Sequence, residues 1–239
     1  MAKLVFDIET NALPIEQFDP VQREYLFREA ENMEDPAERD TRRQEIQRQF
    51  SLWPLTAQVV CIAMINADSF RGKVLYLADD YEEQQGAGGA VEFLPCAGEA
   101  EMLMEFWEVA QHYDSIITFN GRGFDVPFIY LRSAVLNVMV SRRDWLGYRF
   151  QTEPHCDLLE QLTFYNVSGR DGAARRFNLD FYCKAFGIES PKGQGVTGMD
   201  IGRMMEEKRG REIAEYCLRD VKATLALYRI WQERLGTIK

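Results

Sequence analysis

Residues 3–10 read KLVFDIET, and no other stretch constrains the chain as strongly. Leu4, Val5, Phe6 and Ile8 form a short apolar run, β-branched and aromatic enough for a buried strand. Asp7 and Glu9 interrupt it two positions apart. Side chains at that spacing project from one face of a strand. Two carboxylates therefore stand side by side at the end of a core strand. Leaving them buried and unpaired costs on the order of several kcal/mol per group. Either arginines neutralise the pair or a divalent cation does. The cation reading requires further acids elsewhere, because hard ions such as Mg2+ take oxygen ligands.

The 239 residues show no internal repeat and no linker, so a single domain over 1–239 is expected. Hydrophobic content of 46% and aromatic content of 12% are ample for a globular core. No apolar run approaches the length of a membrane span, and the N-terminal residues lack a secretory pattern. The five cysteines (Cys61, Cys96, Cys156, Cys183, Cys217) are scattered, with no CxxC pair. They read as reduced thiols in a cytoplasmic protein. A net charge of −10 counts against a general nucleic-acid coat protein. It leaves room for an enzyme that grips one nucleic-acid end through a few cations and bound metals.

Residues 19–50 are dense in charge and helix-forming, with a break expected at Pro36. Tyr25, Leu26, Met33, Ile46 and Phe50 are too sparse for a strong apolar stripe. This is a solvated helical excursion, or else a lid or arm whose Arg39, Arg42, Arg43 and Arg48 contact phosphate. Strands are expected at 57–65 and 73–78, as an antiparallel meander with the first. A surface loop should follow over 81–90, an amphipathic helix over 99–113 and a strand over 115–119. A strand, a helix and another strand suggest a parallel crossover. The NGRGFD turn at 120–125 then leads into a helix whose core face includes Phe128, Ile129, Leu131 and Leu136. Residues 141–156 are irregular, with a short last strand before Asp157, which caps the next helix. Residues 167–176 form a basic glycine loop. Asn178 caps a helix ended by Gly187, residues 190–198 are loop, and a final helix runs over 211–235.

The further acids are present. Asp125 follows the fourth strand, where a turn can aim it at the end of the first. Tyr216 and Asp220 lie four apart on the last helix and share a face. The resulting pattern is D-x-E (Asp7, Glu9), N-x3-F-D (Asn120, Phe124, Asp125) and Y-x3-D (Tyr216, Asp220). It resembles the DEDDy class of 3′–5′ exonucleases in the ribonuclease H-like superfamily. The nearer likeness is to stand-alone exonucleases related to the proofreading domain of family-B DNA polymerases. The segments HCDLLE, ARRFNLDFYCKAFGI and EYCLRDVKATLALY extend it, while 19–50 falls outside it.

That resemblance implies an α/β fold, a ribonuclease H-like mixed sheet flanked by helices, with a helical insertion after the first strand. It implies hydrolysis from a free 3′ end, releasing nucleoside 5′-monophosphates, with two Mg2+ or Mn2+ ions. Asp7, Glu9 and Asp220 would hold the first ion, Asp7 would bridge to the second, and Asp125 would act on the second. Tyr216 would orient the attacking water, because a phenol with a pKa of about 10 is a poor base at neutral pH. Single-stranded DNA is the expected substrate and RNA the nearest alternative. A non-catalytic binding module and an endonuclease are rivals from other classes.

Substrate contacts are expected from Thr10, Asn120, Phe124, Arg176 and Lys192. For Asn120 the other reading is turn fixation, and for Phe124 it is packing. Arg170, Arg175, Arg176 and Lys192 are either phosphate contacts or solvated loop cations. His155, Cys156 and Asp157 lack the spaced partners of a zinc site. Cys183 and Cys217 sit on helix core faces.

Overall fold

β1 (Lys3–Ala12) is the hub of a six-stranded sheet in a computed structural model that describes residues 1–78, 90–166, 174–190 and 198–236. β2 (Ala57–Asn66) and β3 (Gly72–Leu77) continue antiparallel from one side of β1. β4 (Val91–Cys96) runs parallel to β3 at that edge. On the other side lie β5 (Ser115–Thr118) and β6 (His155–Asp157), both parallel to β1. The order is β4-β3-β2-β1-β5-β6. This is the expected mixed sheet, three antiparallel strands extended by parallel ones. β4 escapes a sequence reading because it is short and contains Pro95, tolerated at a sheet edge.

Two helical layers cover the sheet. α3 (Glu99–Ala110) and α4 (Asp125–Val135) pack over Leu4, Phe6, Ile8, Ile62 and Met64. α8 (Gly210–Arg234) packs over Val5, Cys61, Ala63, Ile65 and Ile117. Its Ile213, Cys217, Val221, Leu225 and Tyr228 are buried, the three- and four-residue stepping of an amphipathic helix. Within β1, even positions thus face α3 and α4, and odd positions face α8. Leu131 is a correction: it is 48% exposed and lies off the core face of α4.

The charged stretch after β1 is a helical hairpin. α1 (Pro20–Glu31) begins at a capping box of Asp19 and Gln22, and α2 (Pro36–Arg48) begins at an Asp35 cap. Pro36 starts α2, since a proline at the first helical position forfeits no hydrogen bond. Phe18, Ala30, Ile46 and Phe50 make a small core of their own, beyond what the sparse apolar pattern suggested. Arg42 pairs with Glu29 and Glu45, Arg43 pairs with Glu31, and Arg39 donates to the Met33 carbonyl. These three guanidinium groups pin the hairpin.

α5 (Leu158–Leu162) and α6 (Leu179–Ala185) carry the expected Asp157 and Asn178 caps, and Gly187 takes φ 71° after α6. A short helix not foreseen in the sequence, α7 (Ile201–Glu206), precedes α8 and buries Ile201 and Met204. The loops expected over 81–90, 167–176 and 190–198 lie largely outside the described residues. Among the described residues no helix is long and apolar enough to cross a membrane. All five cysteines are buried and free of disulfides.

Candidate active site

The alternation along β1 aims Asp7 and Glu9 at α8. There Tyr216, Cys217 and Asp220 lie on consecutive turns of the facing stripe. The Cys217 thiol lies 3.4 Å from the Asp7 carbonyl oxygen and 3.8 Å from its Oδ2. Ligand atoms of Asp7, Glu9 and Cys217 all fall within 4.8 Å of one another. The Tyr216 hydroxyl donates to the Asp220 carboxylate.

Asp125 arrives from the opposite layer. β5 pairs with β1 only from Lys3 to Val5, so the Ile8 N–H lies beyond the ladder. The Asp125 carboxylate accepts that N–H at 3.1 Å. The turn that delivers Asp125 is tightly specified. Asn120 adopts φ 67°, a left-handed conformation that asparagine tolerates. A Cβ on Gly121 would lie 2.3 Å from the Thr118 hydroxyl oxygen, so only glycine fits. The Asp157 carboxylate accepts the N–H groups of Asn120 and Arg122 at 3.0 and 2.9 Å while also capping α5.

The electrostatics are unbalanced. Burial, then the charges of Asp125, Asp220 and Glu9, pushes Asp7 well above the carboxylate range. Glu9 moves the same way through burial and the charges of Asp220 and Asp125. Burial raises Asp125 to about 7, against the hydrogen bond from Ile8. Burial and the neighbouring carboxylates push the Tyr216 phenol upward as well. Among the described residues, the charges that bear most on Asp7 and Glu9 are negative. Such a set of desolvated carboxylate oxygens could hold hard divalent cations.

Asp7 and Asp220 open onto a cleft of about 440 Å³, lined also by Phe119, Asn120, Arg176, Phe177 and Asn178. Asn120 and Arg176 therefore border the acids. Thr10 instead donates its hydroxyl to the Ser51 carbonyl at 2.6 Å. Phe124 packs against Phe128, with ring centroids 5.4 Å apart. Lys192 and Arg170 lie outside the described residues. His155 is buried between Thr118 and the Trp145 carbonyl, and burial lowers its pKa to about 3. Sequence reading missed the approach of Cys217 to Asp7, although its place three before Asp220 on one helix face was a signal. It also missed Phe177 in the cleft wall and the hold of Asp157 on the turn.

A mixed sheet in this order, with helices on both faces, defines the ribonuclease H-like class of α/β fold. The chain belongs to the family described as "Predicted 3'-5' exonuclease related to the exonuclease domain of PolB", whose model matches residues 53–239. Among similar curated proteins, DNA polymerase 1 of Saccharolobus solfataricus is 24% identical over 180 residues, covering 71% of this chain and 19% of the polymerase. DNA polymerase 1 of Aeropyrum pernix is 27% identical over 185 residues, covering 73% and 18%. The DNA polymerase of Pyrococcus glycovorans is 30% identical over 145 residues, covering 56% and 18%. The chain thus matches about a fifth of the length of these relatives. The structure of the family B DNA polymerase from Pyrobaculum calidifontis shares the fold. Its TM-score is 0.56 and its identity 19%, over 96% of this chain and 24% of the polymerase chain.

Proposed function

We propose that this protein is a metal-dependent 3′–5′ exonuclease that shortens single-stranded DNA and releases nucleoside 5′-monophosphates. The observation that carries the reading is the convergence of half-buried Asp7 with buried Glu9 and Asp125, beside Asp220 and Tyr216, with the charges of these acids raising one another's pKa. Desolvating such charges is costly unless a counter-charge or a bound proton neutralises them, and a bound cation does so while leaving the oxygens free to ligate. The donors are hard carboxylate oxygens, which fit two Mg2+ or Mn2+ ions. Asp7, Glu9 and Asp220 would hold one ion, and Asp7 and Asp125 the other. Bound there, the pair supplies the charge that activates a water and steadies the departing 3′ oxygen.

The side chains perform the remaining tasks. Tyr216 keeps its proton at neutral pH, because burial and the nearby carboxylates push its pKa upward. It therefore orients the attacking water and does not deprotonate it. Asp220 accepts the phenol's hydrogen bond and lines the cleft. Asn120 and Arg176 border the cleft and serve the terminal nucleotide and its phosphate. The free, buried thiols support a reducing, cytoplasmic setting. Incubating matched DNA and RNA oligomers, single- and double-stranded, with Mg2+ or Mn2+ tests the assignment. Single-stranded DNA should shorten fastest and yield 5′-mononucleotides. Preferential RNA shortening would move the substrate to RNA, and binding without shortening would refute hydrolysis.

A further inference from the structure

A buried ion pair lies on the layer opposite α8. Glu99, in the first turn of α3, and Arg132, in the last turn of α4, are 7% and 6% exposed. The guanidinium grips the carboxylate with both arms, Nε to Oε1 at 2.9 Å and Nη2 to Oε2 at 2.6 Å. Its third nitrogen, Nη1, donates to the Pro54 carbonyl at 3.0 Å. Glu99 Oε1 also accepts the N–H of Val59 at 2.8 Å.

Val59 is not an arbitrary partner. Glu9 is registered with Cys61 and Thr10 with Val59, so Val60 has no partner on β1. This is a β-bulge, immediately after the second acid of the site. It breaks the alternation of β2, since Val60 and Cys61 both face α8. Bulges bend and twist a strand and re-aim its side chains. Val59, the residue flanking the bulge, gives its N–H to Glu99.

The helix that carries Arg132 carries Asp125 at its other end. α4 is therefore tied at both termini to the central strands: Asp125 to Ile8 of β1, and Arg132, through Glu99, to the bulge of β2. A desolvated ion pair is a poor source of stability, because an apolar pair of similar volume packs at no greater cost. What an apolar pair lacks is direction. We infer that Glu99 and Arg132 are positioning residues that hold the bulge and α4 so that Glu9 and Asp125, each on its own ion, flank the cation pair that Asp7 shares.

The inference rests on the exonuclease reading, and its test reads metal affinity. Mn2+ binding to the full chain is followed by the electron paramagnetic resonance signal of the free ion, beside metal-free thermal melts. Arg132→Lys keeps the charge but loses the two-armed grip. Glu99→Gln/Arg132→Met keeps an acceptor for Val59 and the packed volume but removes the fork. Both should melt within a few degrees of the parent and bind Mn2+ about tenfold or more weakly. A lowered melt with unchanged Mn2+ affinity, measured where the variant is still folded, means a purely structural pair and overturns the inference. So does an unchanged melt with unchanged affinity. If the parent chain itself takes up no Mn2+, the exonuclease reading fails first and this inference with it.

Discussion

The Asp125 carboxylate accepts the backbone N–H of Ile8 at 3.1 Å, which ties the first residue of α4 to the middle of β1. One acid thus reaches the site from the α4 layer, while Asp7 and Glu9 meet Asp220 on the α8 side. The carboxylates come from three separate segments: β1 carries Asp7 and Glu9, α4 carries Asp125 and α8 carries Asp220.

Asp7 is the acid that both proposed cations share. Asp7→Ala should lower hydrolysis by about a thousandfold. It should also raise the metal-free melting temperature, because a carboxyl group that ionises only at a cost beside like charges is removed. Hydrolysis assays and thermal melts of the same preparation check both. Retained activity, or a lowered melt, would contradict the assignment.

The metal-free protein should lose stability as the solution becomes more alkaline. Asp125 is raised to about 7 in the fold, against an ordinary value of 3.8. Between those values the folded chain holds a proton that the unfolded chain has released. This contribution is fully present below the lower value and is lost as pH rises through the higher one. Asp7 and Glu9 shift in the same direction. Melting temperatures measured without metal from about pH 5 to about pH 8 should fall, and Asp125→Asn should flatten the fall.

Tyr216→Phe should slow hydrolysis by about a hundredfold or less, well short of the loss on removing Asp7. The phenol orients water and the acids remain. The pH–rate profile should show no limb that disappears in the variant. Equal losses at the two positions would contradict the orienting role.

Asp157 accepts four backbone N–H groups, those of Asn120, Arg122, Leu159 and Glu160. Asp157→Ala should cost about 2–3 kcal/mol of stability in denaturant titrations, through the lost cap and the orphaned turn. Activity at low temperature should fall less steeply than stability, since the acids themselves are untouched.

The hairpin arginines bear on a reading the sequence left open. Arg42 and Arg43 pair with glutamates of α1 and α2. Arg42→Ala and Arg43→Ala should each change stability by less than about 1 kcal/mol, as exposed ion pairs do. Affinity for a single-stranded oligonucleotide, measured by fluorescence anisotropy, should stay unchanged. A marked loss of affinity would return these residues to substrate contact.

The legible parts of this fold were those with a local signal. β1 and β2 announce themselves as apolar runs, α8 by its stepping, and α5 and α6 by Asp157 and Asn178 at their caps. The acids were legible as candidates because each carries its spacing in the text. β4 and α7 were not, being short and, for β4, carrying a proline. The bond between Val59 and Glu99 joins residues forty positions apart, and nothing local marks it. Thr10 was legible as a neighbour of Glu9. That its hydroxyl is committed to Ser51 depends on how the hairpin returns, which is a tertiary fact. Arg42 and Arg43 looked available for phosphate because their partners lie on the facing helix of a hairpin whose pairing the apolar pattern only faintly marks.

The most direct measurement is electrophoresis of a single-stranded DNA oligonucleotide labelled at its 5′ end, after incubation with the protein and Mn2+. A ladder of labelled products shortened stepwise from the 3′ end is expected, absent when the ion is chelated and absent with Asp7→Ala. An intact oligonucleotide, or a ladder that Asp7→Ala leaves unchanged, would contradict it.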